Sequence, residues 1–363
     1  MKKINWWRTD FRNGEVDLIS DSIFKERISQ GPMVKKFEEK ISKILGVPYV
    51  VCTTSGSMAM LMALMAYDIK RGDEVIVPNR TWISTAHAPH LLGVKVKAVD
   101  VKKNIPIIDE SKIIDKISKK TKAIIPVYMG GRYVDFSKIK KIAKRYQLKI
   151  IEDAAQGLFG KNYNKFIGTD GDVGCFSLSV AKIISTGQGG FLVTKNKKIY
   201  EKLLAIRTHG VENVINVQKN WPMPGFNFRF NDILASIGIK QLETINKRKS
   251  HLIKIYNLYK KNLNNLKKIK IIPVNTKEGE IPIYVEALCN KRTQLIQYMK
   301  KNNIDYRLFY PGINKAKYLG IRGNFPNSNL FEKNGIYLPT GPTQPISEII
   351  KVIETLINFE KVR

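Results

Sequence analysis

The sequence contains little cysteine and no long apolar run, and each shortage excludes a class of protein. Its three cysteines, Cys52, Cys175 and Cys289, lie far apart in 363 residues. That spacing fits neither a disulfide framework nor a zinc site, so buried free thiols are expected. No apolar stretch approaches the roughly 20 residues that span a bilayer, and residues 1–8 lack the apolar centre of a signal peptide. We therefore expect a cytoplasmic protein with no membrane partner.

Acidic residues are also scarce, since 31 Asp and Glu face 62 Lys and Arg and the formal net charge is +31. A basic surface could bind the phosphates of nucleic acid by releasing counterions. The lysines, however, are spread over predicted helix faces and loops between residues 95 and 351, without one stripe interleaved with aromatics. We expect no nucleic-acid partner, and instead a general attraction for small anions, phosphates included.

The pattern of apolar residues predicts an α/β fold. Strand-like runs at residues 74–78, 94–100, 123–128 and 149–151 alternate with helix-like runs, which is typical of a mostly parallel sheet. From about residue 246 a basic helix and short strands predict a small α+β domain. The expected division is a large domain at 1–245, with Trp6 and Trp7 packed at a domain or subunit contact, and a small domain at 246–363.

One lysine carries the chemical interpretation. The stretch at 177–190 reads S-L-S-V-A-K-I-I-S-T-G-Q-G-G and follows an apolar run at 173–176, so Lys182 is predicted to point from a sheet edge into a tight cavity. A buried lysine is costly unless it has a task, such as forming a Schiff base with a carbonyl cofactor. The alternative in this lysine-rich chain is an exposed turn lysine, so Lys182 needs suitable neighbours.

Two upstream motifs supply such neighbours. Asp153 follows a predicted parallel strand about 30 residues before Lys182, so one crossover or hairpin could bring the two side chains into one pocket. Residues 53–57, T-T-S-G-S, open a helix-like run whose first N–H groups and hydroxyls suit a phosphate. A phosphate cradle, an acid and a buried lysine together indicate pyridoxal 5'-phosphate.

Five motifs in order resemble a known family. T-S-G-S, P-N-R-T-W, E-D-A-A-Q-G, S-L-S-V-A-K-x4-G-Q-G-G and G-F-N-F-R-F are similar to those of the DegT/DnrJ/StrS aminotransferases, fold-type I pyridoxal phosphate enzymes that mostly aminate keto sugars. The similarity runs from about residue 10 to about 245 and is only general beyond. Five separated motifs make it specific, whereas each alone would be weak.

The resemblance implies roles for particular residues. Lys182 would be the catalytic lysine joined to the cofactor, and Asp153 would form an ion pair with the pyridine nitrogen. The remaining cofactor contacts implied are Gly56, Ser57 and Ser177 at the phosphate, Trp82 stacked over the ring, and Gln156 against the ring or its phenolic oxygen. Without the resemblance, Trp82 could equally be an ordinary core residue.

The resemblance also implies an obligatory homodimer with shared active sites. Asn227 would reach the partner's cofactor phosphate and Arg229 would lie near the substrate, although 225–230 alone could be an aromatic packing turn. The implied amino donor is glutamate, and the acceptor is an anionic keto compound, a nucleotide-linked sugar of surface-polysaccharide or related glycan biosynthesis.

Several positions depart from the family pattern or have an alternative interpretation. Gln188 replaces a glutamate, Asn314 stands where many members carry histidine, and Ser57 keeps the hydroxyl of the usual threonine. The acceptor could therefore be a smaller phosphorylated ketose such as dihydroxyacetone phosphate, or the protein could be a pyridoxal phosphate-binding member that does not transaminate. Members with histidine in place of the lysine perform dehydration, against which Lys182 argues.

Two further groups of residues are considered, one as part of the substrate site and one as a metal site. Gly130, Gly131 and Arg132 follow a predicted strand and could face the substrate at the sheet end. His87 and His90 are three residues apart on a predicted helix, but without carboxylate or thiol partners nearby in the sequence no metal site is expected.

Overall fold

The computed structural model describes residues 3–11, 13–211 and 220–361. The helices in these ranges are α1 (Asn13–Phe24), α2 (Pro32–Leu45), α3 (Gly56–Ala66), α4 (Ser84–Leu91), α5 (Phe136–Tyr146), α6 (Lys197–Arg207), α7 (Asp232–Leu242), α8 (Ile245–Leu263), α9 (Arg292–Lys301), α10 (Pro326–Asn334) and α11 (Ile346–Lys361). The strands are β1 (Tyr49–Thr53), β2 (Glu74–Pro78), β3 (Lys95–Val99), β4 (Thr121–Ile124), β5 (Lys149–Asp153), β6 (Lys161–Asn162), β7 (Lys165–Phe166), β8 (Val173–Ser177), β9 (Gly190–Thr194), β10 (Ile269–Ile271), β11 (Val285–Cys289), β12 (Arg307–Leu308) and β13 (Gly335–Leu338).

A mostly parallel sheet organises the first two-thirds of the chain. Seven strands of the described residues form it in the order β1-β9-β8-β5-β4-β2-β3. Only β9 among these strands runs against its neighbours, since it pairs antiparallel with both β1 and β8. The predicted α/β class with a mostly parallel sheet is confirmed. The reversed direction of β9 was not predicted, because the apolar pattern of a buried strand is the same in either direction.

The helices that pack on this sheet are either apolar on nearly all sides or apolar on one side only. Helix α3 is buried from Ala59 to Ala66 except for the half-buried Leu61 and Met65, and none of its side chains is exposed, as its apolar sequence predicts. Helix α2 is amphipathic and buries Val34, Phe37, Ile41 and Leu45 at helical spacing. It ends at Gly46, whose φ of 66° is left-handed and therefore favours glycine.

A second, antiparallel sheet lies in the C-terminal part. Its described strands follow the order β10-β11-β13-β12, and helices α8, α9 and α11 contribute to a separate apolar core. This arrangement fits the expected small α+β domain. The division between residues 245 and 246 stays a prediction.

The N-terminal segment joins the two parts. Ile4 bridges to Ile304 beside the small sheet. The rings of Trp6 and Trp7 lie 6.1 Å and 5.6 Å from the ring of Tyr284, centroid to centroid. Nε1 of Trp7 also donates a hydrogen bond of 3.1 Å to the carbonyl of Val180, between β8 and β9 of the large sheet. The tryptophan pair thus contacts both parts of the chain, and its packing at a domain boundary stays a prediction.

No helix in the described ranges is long and apolar enough to cross a membrane. Between His209 and Gly225 the sequence lacks periodicity and holds two prolines, which predicts a long loop. Residues 212–219 of this segment lie outside the described part of the chain.

Candidate active site

A cavity opens at the edge of the large sheet where the parallel strands end. Strands β1, β2, β5 and β8 share one direction, so the loops that follow them meet at this edge. The cavity has a volume of about 310 Å³, in the range of small-molecule sites. Its lining residues are Trp6, Ser55, Gly56, Ser57, Met60, Thr81, Trp82, Ser84, Thr85, Val127, Asp153, Ala155, Gln156, Ser177, Ser179, Ala181, Lys182, Gln188, Gly189, Tyr284, Arg307, Tyr310 and Tyr337.

The N-terminus of α3 forms one end of the cavity. Ser55 caps the helix, because its hydroxyl accepts a hydrogen bond of 3.2 Å from the backbone N–H of Met58. A Cβ atom on Gly56 would lie 2.8 Å from the Cβ of Ser177, so only glycine fits between these two loops. Gly56, Ser57 and Ser177 therefore surround a helix N-terminus, where N–H groups and the helix dipole favour an anion such as a phosphate.

Asp153 ends β5 and is buried in the cavity wall. Its carboxylate accepts a 2.7 Å hydrogen bond from the Thr85 hydroxyl and a 3.2 Å bond from the Ala155 N–H. Thr85 in turn pairs with Thr81, with 2.7 Å between their hydroxyl oxygens. Burial raises the pKa of Asp153, while these donors and the nearby Lys182 act in the opposite direction.

Lys182 lies in the turn between β8 and β9, and its amine faces the same cavity. Loss of hydration on burial lowers its pKa to about 8, against a smaller opposing effect of the Asp153 carboxylate, and the charge of Arg307 lowers it further. Between Asp153 and Lys182 the chain forms the β6–β7 hairpin, one of the two predicted connections. The structure thus brings together the acid and the lysine that the sequence singled out.

The other predicted cofactor contacts on this chain also line the cavity. Trp82 lines the cavity and is 47% exposed, and its ring meets that of Tyr310 edge-on at 5.5 Å. Gln156 is oriented by a hydrogen bond of 2.8 Å from the Gly130 N–H to its side-chain oxygen. Gln188 lines the wall as well. The roles of these side chains toward a cofactor stay predictions.

The opposite wall of the cavity was missed by sequence reasoning. It contains Tyr284, Arg307, Tyr310 and Tyr337, all from the C-terminal part of the chain. No motif marks these residues, and the strand that carries Arg307 is two residues long. The one available signal was the cluster of aromatic residues and arginine at 306–310, Y-R-L-F-Y.

Asn227 and Arg229 lie outside the cavity of their own chain. Asn227 is exposed, and its side-chain oxygen accepts a 3.0 Å hydrogen bond from Nε of Arg229. The backbone of Arg229 forms a β-bridge with Thr53 at the end of β1. Thr53 lies just before residues 55–57, which are called the phosphate loop because they form the candidate phosphate site. Their predicted contacts with a partner's cofactor and with substrate stay predictions.

The prediction that Arg132 faces the substrate is wrong. Its guanidinium is buried and ion-paired with Glu286, and Nε donates to the carbonyl of Pro273 at 2.8 Å. Arg132 follows the short 3₁₀ turn Met129–Gly131. Its ion pair with Glu286 of β11 connects the large sheet to the small one. A buried arginine at a sheet end is structural here because a carboxylate from the other sheet lies against it.

Asn314 and the histidine pair also have structural partners. The side chain of Asn79 donates to Oδ1 of Asn314 at 3.0 Å, and the Asn314 N–H donates back to Asn79 at 3.1 Å. His87 makes a hydrogen bond of 2.6 Å with the Tyr318 hydroxyl. Among the described residues, no group of three His, Cys, Asp or Glu side chains is placed to hold a metal ion.

Comparison with known proteins identifies the family. The sequence profile of the DegT/DnrJ/EryC1/StrS aminotransferase family matches residues 10–357. The chain belongs to this family. The match confirms the resemblance carried by the five motifs, and it extends well past residue 245, where those motifs end.

Relatives of this aminotransferase cover nearly its whole length. GDP-perosamine synthase of Escherichia coli O157:H7 is 30% identical over 368 residues, 99% of each chain. The spore coat polysaccharide biosynthesis protein SpsC of Bacillus subtilis is 26% identical, over 96% of this chain and 94% of that protein. The solved structure of E. coli GDP-4-keto-6-deoxy-D-mannose-3-dehydratase with bound hydrated PLP superposes with a TM-score of 0.90 at 25% identity, covering 98% and 100% of the two chains.

The cavity fits the cofactor of this family. It offers the N-terminus of α3 with the hydroxyl residues Ser57 and Ser177 beside it. It also offers a buried carboxylate at Asp153 and an amine of lowered pKa at Lys182. The DegT-family aminotransferase is a pyridoxal phosphate-dependent enzyme of fold type I that belongs with the sugar aminotransferases.

Proposed function

We propose that this enzyme moves the amino group of glutamate to the keto group of a nucleotide-linked sugar in surface-polysaccharide or related glycan biosynthesis. The observation that carries the proposal is the meeting of Asp153, Lys182 and the α3 N-terminus in one cavity. The sugar acceptor is supported by the 30% identity to a GDP-perosamine synthase over 99% of the chain. The polysaccharide role is supported by the similarity to a spore coat polysaccharide biosynthesis protein.

The residues that line the cavity have separate proposed roles in binding the cofactor and in proton transfer. Gly56, Ser57 and Ser177 would hold the cofactor phosphate, and Asp153 would keep a proton on the pyridine nitrogen by forming an ion pair with it. Bound pyridoxal phosphate supplies an electron sink for breaking a C–H bond. Lys182 would take the proton from Cα of the donor, a role that suits a free amine whose pKa is lowered to about 8.

The experiment that tests this function separates its two halves. Holoenzyme is mixed with L-glutamate, and conversion of the cofactor to pyridoxamine phosphate is followed by loss of its visible absorbance. The converted enzyme is then offered GDP-4-keto-6-deoxy-D-mannose, other nucleotide-linked keto sugars or dihydroxyacetone phosphate. We expect the absorbance to return with a nucleotide-linked sugar, and Lys182→Ala to show neither change.

Each alternative has its own result in this experiment. Return of the absorbance only with dihydroxyacetone phosphate or a similar ketose would replace the sugar acceptor by a small phosphorylated one. Failure of glutamate to convert the cofactor would indicate a pyridoxal phosphate-binding member that does not transaminate.

We also propose that the active unit is a homodimer with shared sites. The support is the position of Asn227 and Arg229, which lie outside the cavity of their own chain yet next to its phosphate loop through the bridge of Arg229 to Thr53. Lys182→Ala and Asn227→Ala proteins, mixed after mild dissociation, should regain up to about one quarter of wild-type activity, because half of the random dimers then hold one intact site. Mixing that restores nothing, with dimers shown to re-form, would argue against shared sites.

A further inference from the structure

Arg80 is a fully buried arginine whose charge meets aromatic rings instead of an acid. It lies just after β2, at the cavity edge of the large sheet. Among the described residues no carboxylate lies within ion-pair distance of it, and its Nε and Nη2 atoms make no hydrogen bond to them. Its guanidinium carbon lies 4.0 Å from the ring centre of Phe309, 5.2 Å from that of Tyr310 and 6.0 Å from that of Phe331. A charge taken out of water is costly, so these three rings, which we call the aromatic cage, supply the attraction that holds it.

The aromatic cage belongs to the C-terminal part of the chain, so Arg80 joins the two walls of the cavity. The ring of Phe309 is fixed from behind, because it lies 4.6 Å from the ring of Tyr337, centroid to centroid. A Cβ atom on Gly335 would collide with the same ring. Phe331 is fully buried on α10. The cage is therefore closely packed around the guanidinium.

Tyr310 is the residue of the aromatic cage that also lines the cavity. It follows the two-residue strand β12, and the next residue, Pro311, has no N–H group, so sheet pairing does not extend to this point. The Tyr310 carbonyl accepts a hydrogen bond of 3.3 Å from Nη1 of Arg80. Its hydroxyl donates to Sδ of Met129 at 3.5 Å, a weak acceptor. Arg80 therefore holds both the backbone and the ring of Tyr310.

The loop that carries Arg80 is held to the large sheet without the guanidinium. The Asn79 N–H donates to the last carbonyl of β3 at 2.6 Å, and the Trp82 carbonyl accepts from the Thr85 N–H at 3.1 Å. The ring of Trp82 meets that of Tyr310 edge-on at 5.5 Å, so the two walls of the cavity touch at this pair. Removing the guanidinium should leave Trp82 in place and release Tyr310.

We propose that Arg80 is a positioning residue, which fixes Tyr310 against Trp82 and thereby sets the shape of the cavity that substrate enters. The inference deepens the proposed aminotransferase function, on which its kinetic test rests. Asp153, Lys182 and the phosphate loop lie on the large-sheet wall, so binding of the cofactor should not depend on Arg80.

The first test measures whether the aromatic cage holds the cation. Arg80→Met keeps a long unbranched side chain without the charge, and Phe309→Leu removes the nearest ring. In urea unfolding of both single variants and the double variant, we expect a coupling of roughly 30-fold in the unfolding equilibrium constant, the size of a cation–π contact shielded from water. Arg80→Lys should keep part of this coupling because it keeps the charge. Amide hydrogen exchange at 309–314 should be faster in Arg80→Met than in wild type, with exchange at 79–85 unchanged.

The second test measures whether Arg80 acts through Tyr310. Substrate affinity and limiting rate are measured for each half-reaction, with L-glutamate and with a nucleotide-linked keto sugar, in Arg80→Met, Tyr310→Ala and the double variant. We expect Arg80→Met to weaken the same substrate step as Tyr310→Ala, by roughly 10-fold, because a displaced wall misplaces the substrate. In the Tyr310→Ala background Arg80→Met should add little. The affinity for pyridoxal phosphate should stay as in wild type.

The matched control is Arg132→Met combined with Glu286→Leu. It removes the other buried arginine described above between the two sheets, and neither of its side chains is among the lining residues. This control should leave both substrate steps as in wild type even where it changes the free energy of unfolding.

Several results would overturn the inference. Independent effects of Arg80→Met and Phe309→Leu on unfolding would show that the cage does not hold the cation. Full additivity of Arg80→Met and Tyr310→Ala, or no effect of Tyr310→Ala, would show that Arg80 does not act through Tyr310. An equal loss in the control would assign the effect to the joining of the sheets in general. A wild-type enzyme that fails with every acceptor would count against the proposed function alone, since the unfolding, exchange and glutamate measurements use no acceptor.

Discussion

The lowered pKa of Lys182 makes a quantitative prediction for the protein without its cofactor. Burial removes water from the amine, and this loss outweighs the attraction of Asp153, while Arg307 adds repulsion. The result is a pKa of about 8 where an ordinary lysine has 10.5. A lysine reacts as a nucleophile only when it has lost its proton, so its reactivity rises with pH and reaches half its maximum at the pKa.

The size of the effect follows from the difference between the two values. At pH 7 an amine with a pKa of about 8 is about 9% neutral, whereas one with a pKa of 10.5 is about 0.03% neutral. Lys182 should therefore react about 300-fold faster at pH 7 than an amine of equal intrinsic nucleophilicity and ordinary pKa. The same neutral fraction determines how readily the chain takes up the aldehyde of its cofactor.

The assay is competitive labelling of apoprotein with trace acetic anhydride from about pH 6 to about pH 10, read residue by residue by mass spectrometry. Labelling of Lys182 should have its midpoint near pH 8. Asp153→Asn should move the midpoint down, since it removes the charge that stabilises the ammonium, and Arg307→Gln should move it up. A midpoint near pH 10 in a correctly folded apoprotein would refute the electrostatic reasoning.

Two further changes test the surroundings of the site. Thr85→Val removes the 2.7 Å hydrogen bond to Asp153, so cofactor affinity should fall about 10-fold. Because the pKa of Asp153 then rises further, affinity should be lost at higher pH than in wild type as the pH falls; identical pH profiles in equilibrium titrations would contradict this. Glu286→Ala leaves Arg132 buried without its partner and should lower the free energy of unfolding in urea by about 3–5 kcal/mol, whereas Arg132→Met with Glu286→Leu should lose less.

Three parts of the wall built by the large sheet could be predicted from sequence because each lies at the end of a strand or just after it. Asp153 ends β5, Ser177 ends β8, and the phosphate loop begins two residues after β1. A run of apolar residues locates the strand, and parallel pairing then brings its last residues to a common edge. Local sequence thus determined both the place of these side chains and the fact that they meet.

The side chains that hold the residues of that wall in position were harder to predict. Thr85 lies inside α4, whose sequence S-T-A-H-A-P-H-L gives no sign that one hydroxyl faces a carboxylate 68 residues away. Asp153 ends β5 and lines the cavity, whereas Arg132, which comes after β4, is buried against Glu286 of the small sheet. Position after a strand indicates the sheet edge, but the partner across that edge decides whether a side chain lines the cavity or holds two sheets together.

The two walls of the cavity therefore differ in what they can reveal about substrate. The wall of the large sheet holds the groups suited to the cofactor, and its motifs identify the family. The wall of the small sheet holds Arg307, Tyr310 and their aromatic neighbours, which line the same cavity. Asn314, at the position of the family histidine, is paired with Asn79 and is not among the lining residues. Asn314 therefore bears first on how the two parts of the chain are joined.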